Sequence, residues 1–212
     1  MYATVADLRA EGVSHAMASD PRIEALLADA CAFVDTATGW FFEPRARTFR
    51  LDGRGNSTIE LPVPPIRIDA LSIDGHPLSL APDDLLIEGA PVVPGFIAPR
   101  LTLRRCRRFR RETGNVAVAG LWGYTEADGT AEGRTPAAIR LVTMQLVLRA
   151  LPVLVDGDAW ESARHRWRLL EERTREQSYK FGPRTLATFL TGDPEIDAVL
   201  LRYRRPQGLG AA

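Results

Sequence analysis

From Arg45 to Tyr124, glycine and proline recur too often for a helix to persist, and the segments between them are short. Proline removes a backbone donor and glycine raises the entropic cost of ordering, so this region is restricted to brief strands joined by turns. Thr48-Phe49-Arg50-Leu51 runs into the turn cluster Asp52-Gly53-Arg54-Gly55-Asn56, and Thr58-Ile59-Glu60-Leu61 returns. That pattern predicts a hairpin with a loop longer than two residues. Pro62, Pro64 and Pro65 then interrupt pairing. Ile66 to Ile73 alternates only approximately, and Asp74-Gly75 offers a second turn. Leu85-Leu86-Ile87, Val92-Val93 and Leu101-Thr102-Leu103 are further short strands. Asn115 to Tyr124, β-branched and aromatic with glycines at its far end, is the strongest of the series. Together they predict a small antiparallel sheet, sandwich- or barrel-like.

The flanks read as helices. Thr4 with Asp7 three residues on is a capping-box start to a short helix ending near Gly12. Asp20-Pro21 opens a second, with an oxygen cap followed by a proline. Its apolar face is Ile23, Leu27, Ala30, Cys31 and Val34, which makes Cys31 a core residue, and Gly39 stops it. Thr135-Pro136 repeats the start signal before the stripe Ile139, Val142, Leu146 and Ala150, which runs to Pro152. Asp156-Gly157-Asp158 predicts another helix, with Trp160, Ala163, Trp167 and Leu170 on one face and Glu171, Glu172 and Arg173 on others. Gly182-Pro183 ends it. Asp193-Pro194 begins a last helix through Ile196, Val199, Leu200 and Tyr203. The expected fold class is α+β. Its parts are an N-terminal helical segment 1–44, a β-rich region 45–124, a helical region 135–203 packing with 1–44 as one bundle, and a flexible tail 204–212.

Composition excludes several classes. Of 212 residues 45% are hydrophobic and 25% charged, which is globular usage rather than that of a disordered chain. No apolar run approaches the ~20 residues of a membrane helix. The start, MYATVADLRAEG, lacks the basic-then-apolar order of a secretory leader, so the chain is expected to be soluble and intracellular. Cys31 and Cys106 are too few for a disulfide framework or a four-ligand zinc site. His15, His76 and His165 have no second ligand at helical spacing. Asp83-Asp84 and Asp156-Gly157-Asp158 read as a turn and a helix cap rather than metal ligands. Gly53-Arg54-Gly55 lacks the third glycine and lysine of a phosphate cradle, and no Gly-x-Ser-x-Gly elbow is present. No catalytic residues, metal or cofactor are expected.

Charge is balanced overall but not along the chain. Residues 1–99 hold 14 Asp/Glu and 7 Arg, a net of −7, and the remainder carries the compensating +7. Lys180 is the one lysine among 27 basic residues. Two readings stand: GC-rich codon usage, which favours arginine, or complementary patches that attract across subunit boundaries, and composition alone does not decide between them. The sharpest feature is Arg104-Arg105-Cys106-Arg107-Arg108-Phe109-Arg110-Arg111. Six guanidinium groups in eight residues are too costly to bury unpaired, and as a strand both faces carry arginine. The segment must be exposed or face acidic groups. Arginine forks suit phosphate and carboxylate alike, so nucleic acid, an acidic protein surface and a solvated arm all stand as readings. Glu112 and the lack of a stacking platform apart from Phe109 weigh against nucleic acid.

The order of several stretches resembles the head–tail connector (adaptor) proteins of tailed bacteriophages and gene-transfer-agent-like particles. These are Thr4-Val5-Ala6-Asp7-Leu8-Arg9, Val34 through Phe42, Leu61-Pro62-Val63-Pro64-Pro65-Ile66, Ile73-Asp74-Gly75, Asn115-Val116-Ala117-Val118, Trp122-Gly123-Tyr124 and Thr135 through Ile139. They span about residues 4–150, whereas residues 156–212 depart from the pattern. The resemblance implies a non-enzymatic ring, twelve-fold, in the neck of a virion assembled in the host cytoplasm. It would sit between the portal protein and a tail-proximal stopper, with double-stranded DNA in its lumen and no membrane. It further implies that the C-terminal segment docks into the portal, here Tyr203, Arg204, Arg205, Pro206, Gln207 and Leu209. The alternative is a DNA-binding protein using Arg104, Arg105, Arg107, Arg108, Arg110 and Arg111.

Overall fold

Each helix end is set by a local polar group, and each apolar stripe then decides what the helix covers. The computed structural model describes residues 1–78, 84–89, 98–105, 107–151, 171–173, 178–180 and 190–205. Helix α1 (Val5–Ala10) opens with the expected capping box: the Asp7 amide donates to the Thr4 hydroxyl at 3.2 Å and the Thr4 amide to the Asp7 carboxylate at 2.8 Å. Helix α2 (Asp20–Thr38) ends at Gly39, whose φ of 74° is the left-handed conformation glycine adopts without a Cβ penalty. Its N-cap position is Ser19 rather than Asp20, without a side-chain cap bond, and the Asp20 carboxylate pairs instead with Arg9.

Helix α3 (Ala137–Ala150) also departs from the expected cap. Thr135 donates its hydroxyl to the Phe42 carbonyl at 2.9 Å, and the Ala137 amide is taken instead by the Glu126 carboxylate at 3.1 Å. Helix α4 (Pro194–Arg202) starts as the sequence predicts, the Asp193 carboxylate accepting from the Glu195 and Ile196 amides. Asp197, also buried, accepts from the Thr191 amide at 2.8 Å and the Thr191 hydroxyl at 2.7 Å, which ties the preceding turn to α4.

The strands are β1 (Arg45–Gly53), β2 (Thr58–Glu60), β3 (Pro65–Ile73), β4 (His76–Leu78), β5 (Leu85–Glu88), β6 (Arg100–Leu103) and β7 (Glu112–Trp122). One antiparallel sheet has the order β1-β7-β3-β4 and another β2-β6-β5. The turn joining β3 to β4 is Asp74-Gly75, with φ of 53° and 78°, the mirror-image geometry that matches strand twist. The four-stranded sheet turns Phe49, Leu51, Val116, Val118, Trp122 and Leu71 inward. They join the β2–β6 residues Ile59 and Leu101 and the helix residues Val34, Ile139 and Ile196 in one core. A second core of Leu8, Ile23, Leu27, Met144, Val147 and Leu151 sits between the first three helices. The fold is α+β, with helices flanking antiparallel sheets.

Two expectations fail. The predicted hairpin of β1 with β2 does not form: β1 pairs with β7 from Arg45↔Trp122 to Gly53↔Glu112, and β2 pairs with β6. Each arm buries its apolar residues better on a distant partner, and the long β7 offers more ladder than the three-residue β2. The helix predicted to continue to Gly182 is overturned at Glu171–Arg173 and Ser178–Lys180. These form two antiparallel strands, β8 and β9, with Glu171 opposite Lys180. One favourable Glu171–Arg175 spacing contributes only ~0.2–0.5 kcal/mol and does not hold a helix alone. The rest of that predicted helix, with Trp160 and Trp167, lies outside the described residues, as do Cys106 and Val92-Val93.

Candidate functional site

The arginine segment leaves β6 and reaches β7 as an irregular arm pinned at three points. Asp84, in the turn before β5, accepts the Arg104 amide through its backbone carbonyl at 2.9 Å. Arg105 then adopts a φ of 58°, which turns the chain. Phe109 is completely buried, and its backbone exchanges hydrogen bonds with the β1–β2 loop: its amide donates to Asn56 and its carbonyl accepts from Gly55, both at 2.8 Å. Burying this ring contributes ~1.5–3 kcal/mol, enough to hold an arm that has no regular ladder. Gly53 permits the approach, since a Cβ there would lie 1.8 Å from the Arg110 carbonyl oxygen.

Asn115 is the residue that sequence reasoning assigned only to a strand. Its side chain accepts from the Gly53 amide at 3.0 Å and donates to Asp74 at 2.9 Å and to the Arg110 carbonyl at 3.2 Å. It therefore joins the end of β1, the β3–β4 turn and the arginine arm. The available signal was an asparagine at the head of a β-branched run, a residue type that favours backbone contacts over strand interiors.

All six arginines of the segment are exposed. Three have internal partners. Arg105 lies 3.4 Å and Arg107 3.9 Å from the carboxylate of Asp84, which is only 5% exposed, and Arg110 is 3.9 Å from Asp74. Arg104, Arg108 and Arg111 pair with no carboxylate among the described residues. The segment is thus partly neutralised by its own chain and presents three guanidinium groups with no carboxylate partner among the described residues.

At the C-terminus the first residues assigned to the tail lie on the body. Tyr203 packs edge-to-face on Phe42 and Tyr124, with ring centroids 5.7 and 5.5 Å away. Burial pushes the Tyr124 phenol up to about 12 and raises that of Tyr203. The Arg205 amide donates to the Thr38 carbonyl at 2.7 Å, and its guanidinium lies 5.8 Å from the Trp40 ring centre. Arg204 is exposed. Pro206, Gln207 and Leu209 lie outside the described residues.

Two open grooves flank the splayed arms of β1 and β2. One of about 480 Å³ lies between the end of β1 and the β3–β4 turn, with Arg50, Asp74, Arg110 and Glu112 on its walls. The other, of about 440 Å³, lies between β1 and β2, with Arg205 on its rim. His15 is on the surface beside Arg9 and Asp20, His76 is exposed on β4, and His165 and Asp83 lie outside the described residues. Among the described residues no three His, Cys, Asp or Glu side chains are grouped to hold a metal, and no helix is long and apolar enough to cross a membrane.

No family model matches the sequence, and neither does any curated protein. Solved structures do. The chain is similar to one from the neck of an empty gene-transfer-agent (GTA) particle, computed with C6 symmetry, at 16% identity and a TM-score of 0.55. It is similar to the same degree to one from the neck of the native particle, computed with C12 symmetry. Each likeness covers 98% of this chain and 91% of the other. The α+β arrangement described above is therefore the fold of a chain from a GTA particle neck.

Proposed function

We propose that this protein is a structural component of a virion-type neck: a head–tail connector that assembles as a ring, twelve-fold, between a portal protein and a tail-proximal stopper. The observation that carries this reading is the extent of the likeness. It covers 98% of this chain and 91% of the other, so it is a likeness of whole subunits and not of one shared motif. The C12 symmetry of one of those necks supports a ring of identical subunits. In such a ring each subunit offers two different surfaces to its neighbours. The opposite charge of the two halves of this chain suits that heterologous contact. Double-stranded DNA passes through the lumen without sequence-specific contact, and the role requires no catalytic turnover or cofactor.

Within this reading the arginine arm contacts acidic protein. Arg105, Arg107 and Arg110 already lie beside carboxylates, and a surface of mixed sign suits a protein partner better than a polyphosphate. The segment from Arg204 through Leu209 docks on the portal, its departure point set by Tyr203 and Arg205 on the body. The test is negative-stain microscopy of the purified protein mixed with the cognate portal. Rings, or portals capped by added density, are the expected result. Absence of association across a range of ionic strengths would overturn it.

A further inference from the structure

We propose that the groove between β1 and β2 is a strand-addition site for an extended acidic peptide. Three consecutive residues of each arm line it: Arg50, Leu51 and Asp52 from β1, and Thr58, Ile59 and Glu60 from β2. Because successive side chains of a strand point to opposite faces, three in a row line a groove through the strand's edge. Both edges are unpaired among the described residues, since β1 ends the four-stranded sheet and β2 ends the three-stranded one. The groove is the space left where the two arms of the failed hairpin part. Among the described residues its walls carry backbone N–H and C=O groups with no strand paired on that side, in the alternation that an extended peptide satisfies.

Charge selects the kind of peptide. Arg50, Arg54, Arg100 and Arg205 surround the groove, against two carboxylates, Asp52 and Glu60. Both carboxylates are engaged: Asp52 accepts the Gly114 amide at 2.6 Å, and Glu60 lies 4.0 Å from Arg100. Arg50 and Arg54 have no carboxylate partner among the described residues. A peptide with acidic residues at alternate positions places carboxylates toward these guanidinium groups while its backbone pairs with β1 or β2. A nucleic acid strand suits the groove less, because phosphodiesters supply no donors for the strand-edge carbonyls. The groove is present in the single subunit, so this site stands whether or not the chain assembles into a neck ring.

The test uses the full-length chain, with amide shifts and hydrogen exchange followed by NMR. The probes are a blocked octapeptide of alternating Glu and Val, its Lys-for-Glu counterpart, and an eight-nucleotide thymidine oligonucleotide. The Glu peptide is expected to bind, more tightly at low salt, and to protect amides of residues 50–52 or 58–60. Arg50→Glu with Arg54→Glu is expected to weaken it about tenfold or more. Arg100→Glu, on a separate strand, should weaken it in the same direction and guards against a folding defect in the first variant. Equal binding of the Lys peptide, response confined to the oligonucleotide, or no change at either strand edge would each overturn the proposal.

Discussion

The amide of Phe109 donates to the carbonyl of Asn56 at 2.8 Å, placing a residue of the arginine arm where the β1–β2 loop would otherwise close on itself. The side chain of Phe109 lies fully inside the larger core, so the contact is fixed from within. This pairing explains why the arms of the expected hairpin part, and why so cationic a segment has a defined course.

Phe109→Ala should therefore cost about 3–5 kcal/mol, the range for removing a buried aromatic ring. Urea denaturation monitored by Trp fluorescence measures it. Hydrogen exchange in residues 104–111 should rise together with exchange in the 54–57 loop. Faster exchange in one segment alone would contradict the coupling.

Asn115→Ala removes an acceptor and two donated bonds at once, and a loss of about 1–3 kcal/mol is expected. The more specific outcome is local. Trypsin should cut within the arginine arm sooner than in the parent protein, at a digestion rate that outpaces the change in global stability.

Arginines of the arm fall into two groups that a paired experiment separates. Replacing Arg104, Arg108 and Arg111 by Ala should leave stability within about 0.5 kcal/mol, since they are exposed and pair with no carboxylate among the described residues. Replacing Arg105 and Arg107 removes both cations beside the buried Asp84 carboxylate. Because both side chains are substantially exposed, the cost is held to about 1 kcal/mol. Only the first set should weaken association with an acidic partner without lowering the melting temperature.

The acid limb of stability has an identifiable contributor in Glu126. Its hydrogen bond from Arg134, then that from the Ala137 amide, holds its carboxyl below the ordinary range. A depressed carboxylate contributes stability above its unfolded value, about 4.3, and loses it as pH falls through the folded value. Glu126→Gln should accordingly lower the melting temperature at pH 7 and flatten its decline below about pH 4.5. An unchanged acid limb would remove this role.

Much of the local punctuation was legible because its causes lie within four residues along the chain. Thr4 and Asp7, Gly39, Asp74-Gly75 and Asp193 act through adjacent backbone groups, so their residue types announce them. Exposure of the arginine arm was equally legible, since the cost of burying six guanidinium groups does not depend on the fold. Ser19 replacing Asp20 as a cap, and Glu126 replacing Thr135, were not legible. In each case the pairing involves a group distant in sequence, Arg9 with the Asp20 carboxylate and Glu126 with the Ala137 amide.

Sequence by itself determined where strands and helices can begin and stop, because those limits come from backbone sterics and short-range hydrogen bonds. Tertiary structure alone decided the partners: β1 chose β7 some seventy residues away over its neighbour β2, and Asp84 and Phe109 fixed the course of the arm. Strand pairing is non-local, and its outcome depends on which arrangement buries the most apolar surface around one core, a quantity carried by no single segment.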